Sequence, residues 1–225
     1  MTLVAMRSLP QKHIAIEGAI GVGKTTLAQR LAGMVGARVL LEKPEDNPFL
    51  AQFYTDRARY ALPTQLSFLF QRAEQASELM QGGIFTSLVV SDFMFAKDDL
   101  FAQWTLSDEE YKLYQRISRD VAPPTPPPDL VIWLRAPGST LRERVLKRGR
   151  TMELGLQSQE LQALDDRYAA YFSRMTTLPV LAVETSHVAS SDGNGHSERA
   201  MVALIERIAG FEGPREQFDW GNVVE

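Results

Sequence analysis

The sequence predicts an α/β fold, a three-layer sandwich in which a five-stranded parallel sheet is flanked by helices. Three observations predict it. Short apolar runs alternate with longer stretches of helical periodicity, as in successive βαβ units. The first run, HIAIE, passes through a glycine-rich turn straight into a helical pattern. A later run, SLVVSD, has the composition of a strand covered on both faces.

The elements follow in order. His13–Glu17 is the first strand, and a helix begins near Lys24. Arg38–Glu42 (RVLLE) is the second strand. Phe49–Tyr60 and Thr64–Met80 are helices, the second with Leu66, Leu69, Phe70 and Ala73 at i, i+3, i+4 and i+7. Gly82-Gly83 ends it. Ser87–Asp92 is the third strand, followed by helices over Ala96–Trp104 and Ser107–Val121. Ser107 with Glu110 three positions on has the form of a capping box. Pro123–Pro128 holds five prolines in six residues and is a stiff connector. Asp129–Leu134 is the fourth strand, Ser139–Arg148 and Ser158–Met175 are helices, and Val180–Val183 is the fifth strand. His187–His196 is polar and glycine-bearing, a flexible loop; a last helix spans Ser197–Ile208. The tail Phe211–Glu225, with Phe218 and Trp220, is irregular, either docked on the body or loose. No repeat or break in composition divides the 225 residues, so one domain is expected over 1–225.

Composition narrows the function. Hydrophobic residues are 44% and charged residues 23%, an ordinary globular mix, and a net charge of -4 argues against a large basic surface for nucleic acid. With no cysteine, disulfides, thiolate zinc sites and a cysteine nucleophile are excluded. His13, His187 and His196 lack metal-ligand spacing. No run of 18 apolar residues suggests a transmembrane helix, and the N-terminus does not read as a signal peptide. A cytoplasmic location is the default.

Gly18-Ala19-Ile20-Gly21-Val22-Gly23-Lys24-Thr25 satisfies G-x-x-x-x-G-K-[ST] in full, with Thr26 continuing into the helix. Glycines let the backbone curl so that successive N–H groups face phosphate oxygens, and the helix dipole adds positive potential. Lys24 reaches the β- and γ-phosphates and Thr25 offers a hydroxyl to Mg²⁺. A plain glycine turn explains neither the lysine nor the hydroxyl. Three carboxylates also fall at strand ends, where open α/β sheets bind ligands. Asp92, after the third strand, suits Mg²⁺ directly or through water, and Glu42, after the second, suits the proton of an attacking hydroxyl. Glu17, after the first, reads as a cap for the next helix.

With these pieces in place the sequence resembles the deoxynucleoside kinase family, and is most similar to its bacterial deoxyadenosine/deoxyguanosine kinase branch. The resemblance runs from His13 to about Phe172 through GAIGVGKTT, LLEKPEDNPFLAQFY, PTQLSFLFQR, VVSDFMFAKDDLFA and RVLKRGRTME. It implies a P-loop kinase-type sandwich, ATP and Mg²⁺ as cofactors, and a deoxynucleoside acceptor. It further implies Glu42 as base for the 5′-hydroxyl, Tyr54 and Glu153 as partners of the 3′-hydroxyl, and Gln65 as reader of the base edge. Arg72 and Asp98 would surround the base. Arg144, Arg148 and Arg150 would belong to a mobile lid over about 144–153. A homodimer through Phe49–Met80 and Ser107–Val121 is implied as well. Many members carry Asp-Arg-Ser where this chain has Asp92-Phe93-Met94, which leaves Lys97 to stand in for the arginine. Asp followed by an aromatic also matches the purine-preferring branch. Two other readings stay open: a nucleoside monophosphate kinase, which needs a basic acceptor pocket near Arg72, and a nucleotide-binding regulatory switch, although an Asn-Lys-x-Asp guanine motif is missing.

Overall fold

The computed structural model describes residues 9–81, 87–95, 97–123, 125–186 and 198–220. Gly82-Gly83, the loop His187–His196 with both of its histidines, the helix starts at Ala96 and Ser197, and the end of the tail lie outside the described residues. Six parallel strands, in the order β2-β3-β1-β4-β5-β6, form one sheet flanked by helices. They are β1 (His13–Gly18), β2 (Arg38–Leu40), β3 (Val89–Ser91), β4 (Leu130–Arg135), β5 (Val180–Glu184) and β6 (Arg215–Asp219). The helices are α1 (Lys24–Val35), α2 (Leu50–Thr55), α3 (Arg57–Gln81), α4 (Lys97–Thr105), α5 (Asp108–Val121), α6 (Gly138–Arg148), α7 (Ser158–Arg174) and α8 (Glu198–Ala209).

The central strands are buried because they are apolar on both faces. Ile14, Ala15 and Ile16 of β1 and Leu130 to Leu134 of β4 belong to the main core, with Leu27 and Leu31 of α1 and Tyr168 and Phe172 of α7. The reversal of strand order between β3, β1 and β4 leaves a crevice beyond their carboxyl ends, the place where such sheets bind ligands.

Four expectations are corrected. The sheet has six strands rather than five: β6 lies in the tail expected to be irregular and pairs in parallel with β5. Its sequence, REQFD, carries no apolar run because it is an edge strand with one neighbour. Trp220 just beyond it is completely buried, and its backbone N–H donates to the Glu184 carbonyl at 3.2 Å.

The helix break expected around Pro63 falls instead at Asp56, whose carboxylate accepts from Arg59 N–H at 3.2 Å as an N-cap would. α3 then runs through Pro63; the helical bond that proline cannot make is lost at the exposed Arg59. β2 ends at Leu40 rather than Glu42. There the Asp92 backbone N–H donates to the Leu40 carbonyl, and the Asp92 carboxylate accepts from the Glu42 N–H, so a side chain takes over from the ladder.

The inward face of α3 also differs. Phe70 is half exposed, and the buried line is Ala61, Gln65, Leu69, Arg72 and Ala76. The capping box at Ser107 and Glu110 forms as expected and starts α5.

Trp220→Ala should cost about 3–5 kcal/mol, the range for deleting a large buried aromatic. Urea denaturation checks it; an unchanged midpoint would mean that the end of the tail is not packed as described.

Candidate active site

The phosphate loop occupies the turn between β1 and α1. Gly21 and Gly23 have φ of 85° and 106°, conformations that side chains rarely adopt. A Cβ on Gly21 would also lie 2.8 Å from Val145 Cγ2 of α6. No side chain caps the first turn of α1, so its leading N–H groups are available to an anion. Lys24 Nζ curls back over the loop and donates to the Gly18 and Ala19 carbonyls at 2.8 and 3.2 Å. On the outer side Arg144 donates to Thr185 Oγ1 and its carbonyl at 3.0 and 2.6 Å, and to the Val22 carbonyl at 3.5 Å, bracing the loop.

Asp92 connects this loop to the neighbouring strand ends. Thr25 Oγ1 donates to its Oδ2 at 2.5 Å, and the Glu42 N–H donates to its Oδ1 at 2.7 Å. Glu42 thereby faces the loop. Its Oε1 accepts from Arg72 Nη2 at 2.5 Å, and Lys97 Nζ lies 3.1 Å from Oε1 and 3.2 Å from Oε2. Arg72 also pairs with Asp98, and its guanidinium lies over the rings of Phe68 and Phe93, 5.2 and 5.8 Å from their centroids.

Burial alone would push the Glu42 carboxyl up. Lys97 first, then Arg72 and Lys24, overcome it and hold the group down at about 2. Lys24 moves the other way for a lysine: burial and then the nearby Lys97 lower it to about 8, against the pull of Glu17, Glu42 and Asp92.

These groups share one cavity of about 620 Å³. Of the residues expected at a site, its wall holds Ile20, Gly21, Lys24, Thr25, Glu42, Tyr54, Gln65, Arg72, Asp92, Arg148, Arg150 and Glu153. Glu153 is buried and gathers Arg148 and Arg150 around one carboxylate. The Tyr54 phenol is raised above its ordinary value by burial and by Glu153. Gln65 Nε2 donates to Thr105 Oγ1 at 3.1 Å, and that hydroxyl spends its proton on the Phe101 carbonyl at 2.8 Å.

Gly18, Ala19, Val22, Gly23 and Thr26 build the loop without lining the cavity, while Phe93, Asp98 and Arg144 stand behind the wall. Residues that sequence reading passed over also line it, among them Phe68, Phe101, Trp104, Thr105 and Tyr168.

Glu17 does not cap a helix. It is completely buried, and its carboxylate accepts from the Met94 N–H at 2.7 Å and from the Tyr168 hydroxyl at 2.9 Å. A charge so placed is satisfied from two other elements, the loop after β3 and α7.

Known proteins agree with this architecture. Residues 14–208 match the family described as deoxynucleoside kinase. The deoxyguanosine kinase of Bacillus subtilis (strain 168) is 32% identical, over 87% of this chain and 93% of its own length. The deoxyadenosine/deoxycytidine kinase of the same organism is 30% identical over 75% of this chain and 80% of its own length. Among solved structures, a deoxyadenosine kinase from M. mycoides, with dCMP and dCDP bound, superposes with a TM-score of 0.70. Its identity is 23%, and the match covers 87% of this chain and 96% of that one, a likeness of fold.

Tyr168→Phe should lower stability by about 1–3 kcal/mol, because a buried carboxylate loses one donor. Chemical denaturation measures it, and a loss near zero would mean the Glu17 clasp carries no weight.

Proposed function

The chain belongs to the deoxynucleoside kinase family and phosphorylates a deoxynucleoside, and we propose that it moves the γ-phosphoryl group of ATP to the 5′-hydroxyl of a purine deoxynucleoside. The observation that carries this reading is the placement of Glu42 opposite Lys24 and Thr25 across one cavity. Its volume, about 620 Å³, is in the range that encloses a small ligand. Purine preference is supported by the relative named for deoxyguanosine and by the Asp92-Phe93 pattern.

In this reading the 5′-oxygen forms a bond to the γ-phosphorus while the bond to the β–γ bridging oxygen breaks, and that electron pair leaves on ADP. The hydroxyl proton passes to the Glu42 carboxylate. A carboxyl held at about 2 is a weak base, so Glu42 orients the hydroxyl first and takes the proton late, when the oxygen has become acidic. Lys24 leaves its loop carbonyls for the phosphates. Arg148 and Arg150 present planar donors to phosphate from above the cavity, as parts of a lid over about 144–153. Tyr54 and Glu153 take the 3′-hydroxyl, and Gln65 the base, with Arg72 beside it; Asp98, expected at the base, stands behind the wall and instead holds Arg72.

Thr25 and Asp92 fit Mg²⁺: a hydroxyl and a carboxylate side by side at the cavity supply hard oxygen ligands, and magnesium uses few protein groups beside water and phosphate. When bound, the ion neutralises charge on the β- and γ-phosphates.

We also read α3 and α5 as the surface of a homodimer, since Phe70 and Leu113 stand 50% and 45% exposed. The cytoplasm is the compartment we assign.

A coupled ATP assay against the four deoxynucleosides, their ribose counterparts and their monophosphates tests the function. Turnover should be highest with deoxyadenosine or deoxyguanosine and negligible with monophosphates; activity confined to monophosphates would overturn the acceptor assigned. Glu42→Gln should cut kcat about 10²–10⁴-fold with little change in nucleoside KM. The pH profile supplies a second check. Lys24 is charged below about 8 and neutral above it, so kcat/KM for ATP should fall as pH rises through that value. Lys24→Arg should move that limb upward.

A further inference from the structure

Thr105 closes α4 and lines the cavity together with Gln65 of α3. Its hydroxyl donates to the Phe101 carbonyl one turn back, at 2.8 Å, and accepts from Gln65 Nε2 at 3.1 Å. Gln65 is only 4% exposed, and its amide has no other partner among the described residues.

The far end of this chain of bonds fixes its direction. A carbonyl can only accept, so the single proton of the Thr105 hydroxyl is committed to Phe101, and the side that meets Gln65 is a lone pair. Only the NH₂ half of an amide can meet a lone pair. Turned over, Gln65 would set its Oε1 against another acceptor, or the hydroxyl would leave Phe101 and the cluster would hold one bond fewer. In the held orientation the amide still has Oε1 and one N–H, an acceptor and a donor side by side, for a ligand in the cavity.

On the reading that Gln65 takes the base, on which this inference rests, a fixed order of donor and acceptor is selective. A 6-aminopurine presents an exocyclic N–H donor beside the N1 acceptor, whereas a 6-oxopurine presents the O6 acceptor beside an N1–H donor. The two edges are reversals of one another. With the sugar held by Glu42, Tyr54 and Glu153, the base is not free to turn round and repair a mismatch. One amide orientation therefore suits one edge and sets like groups against each other on the second. We propose that Thr105 is a positioning residue that locks the Gln65 amide in one orientation and so makes the enzyme discriminate 6-amino from 6-oxo purine deoxynucleosides. Without the lock the amide turns to suit either edge, and the discrimination falls.

Deoxyadenosine and deoxyinosine differ only in that edge, so they are the test pair. With ATP and Mg²⁺, kcat/KM for each is measured on the full chain as wild type, T105S, T105V, Q65M and Q65M/T105V. Wild type should favour one of the pair by about tenfold or more. T105V, close to threonine in shape but without the hydroxyl, should move the ratio about tenfold toward the disfavoured nucleoside. T105S keeps the hydroxyl and should hold the ratio within about threefold of wild type. Q65M removes the amide and should bring the ratio near unity, and adding T105V to it should change the ratio no further.

A wild type that uses both nucleosides within about threefold of each other would overturn the proposal, and so would a T105V ratio within about threefold of the wild-type one. Loss of the ratio in T105S would overturn it too, as would a T105V shift that persists on Q65M, which would give Thr105 its own contact with the base. A Q65M ratio equal to that of wild type sinks the assignment of Gln65 to the base, whereas a collapsed Q65M ratio beside an unmoved T105V sinks only the lock. Turnover with neither nucleoside would sink the purine acceptor itself. Thermal melts confirm that each variant is folded; should T105V not fold, T105A is read in the same way.

Discussion

The Asp92 carboxylate is the constraint on which the site depends. One of its oxygens takes the Thr25 hydroxyl and the other takes the Glu42 backbone N–H, while the Asp92 N–H donates to the Leu40 carbonyl. Three bonds thus tie the start of α1 to the ends of β2 and β3. β2 stops at Leu40 because its continuation is held by a side chain instead of the ladder, and this turns Glu42 toward the phosphate loop rather than into the sheet. Charge-assisted bonds of this kind are short and directional, so the relation between loop and carboxylate is set before any ligand binds.

Around that junction the cavity is organised by paired charges. Arg72 spans Glu42 and Asp98 and is sandwiched by aromatic rings; Glu153 gathers Arg148 and Arg150. Glu17, one strand over, holds the loop after β3 against α7. Buried charges persist only with partners, and here the partners come from different elements, so removing any one disturbs several. The result is a preorganised polar wall, with Phe68, Phe101 and Trp104 lining the same cavity. Such a wall lets fixed dipoles and charges act on phosphoryl transfer without first reorganising.

Much of this could be read from the amino acids, and the parts that could not share a physical reason. The phosphate loop was readable because its backbone conformation requires glycines and its chemistry requires Lys24 and Thr25. Glu42 and Asp92 were readable because strand ends in an open sheet point at ligands. Periodicity, by contrast, counts apolar side chains, and it chose Phe70 and Ala73 for the inner face of α3. The face that is buried carries Gln65 and Arg72, stabilised there by Thr105, Glu42 and Asp98 from elsewhere in the chain. Glu17 failed for the same reason: its partners Met94 and Tyr168 are distant in sequence. β6 escaped because an edge strand with polar alternation carries no apolar run, and its anchor, Trp220, is a single residue. Long-range polar pairing leaves no local signature.

A crystal structure of the chain with ADP and deoxyguanosine tests the central geometry most directly. The account predicts the 5′-oxygen within about 3 Å of a Glu42 oxygen, and Lys24 withdrawn from the Gly18 and Ala19 carbonyls onto the β-phosphate. A nucleoside bound elsewhere, with Glu42 still closed on Arg72 and Lys97 and Lys24 still folded on its own loop, would contradict it.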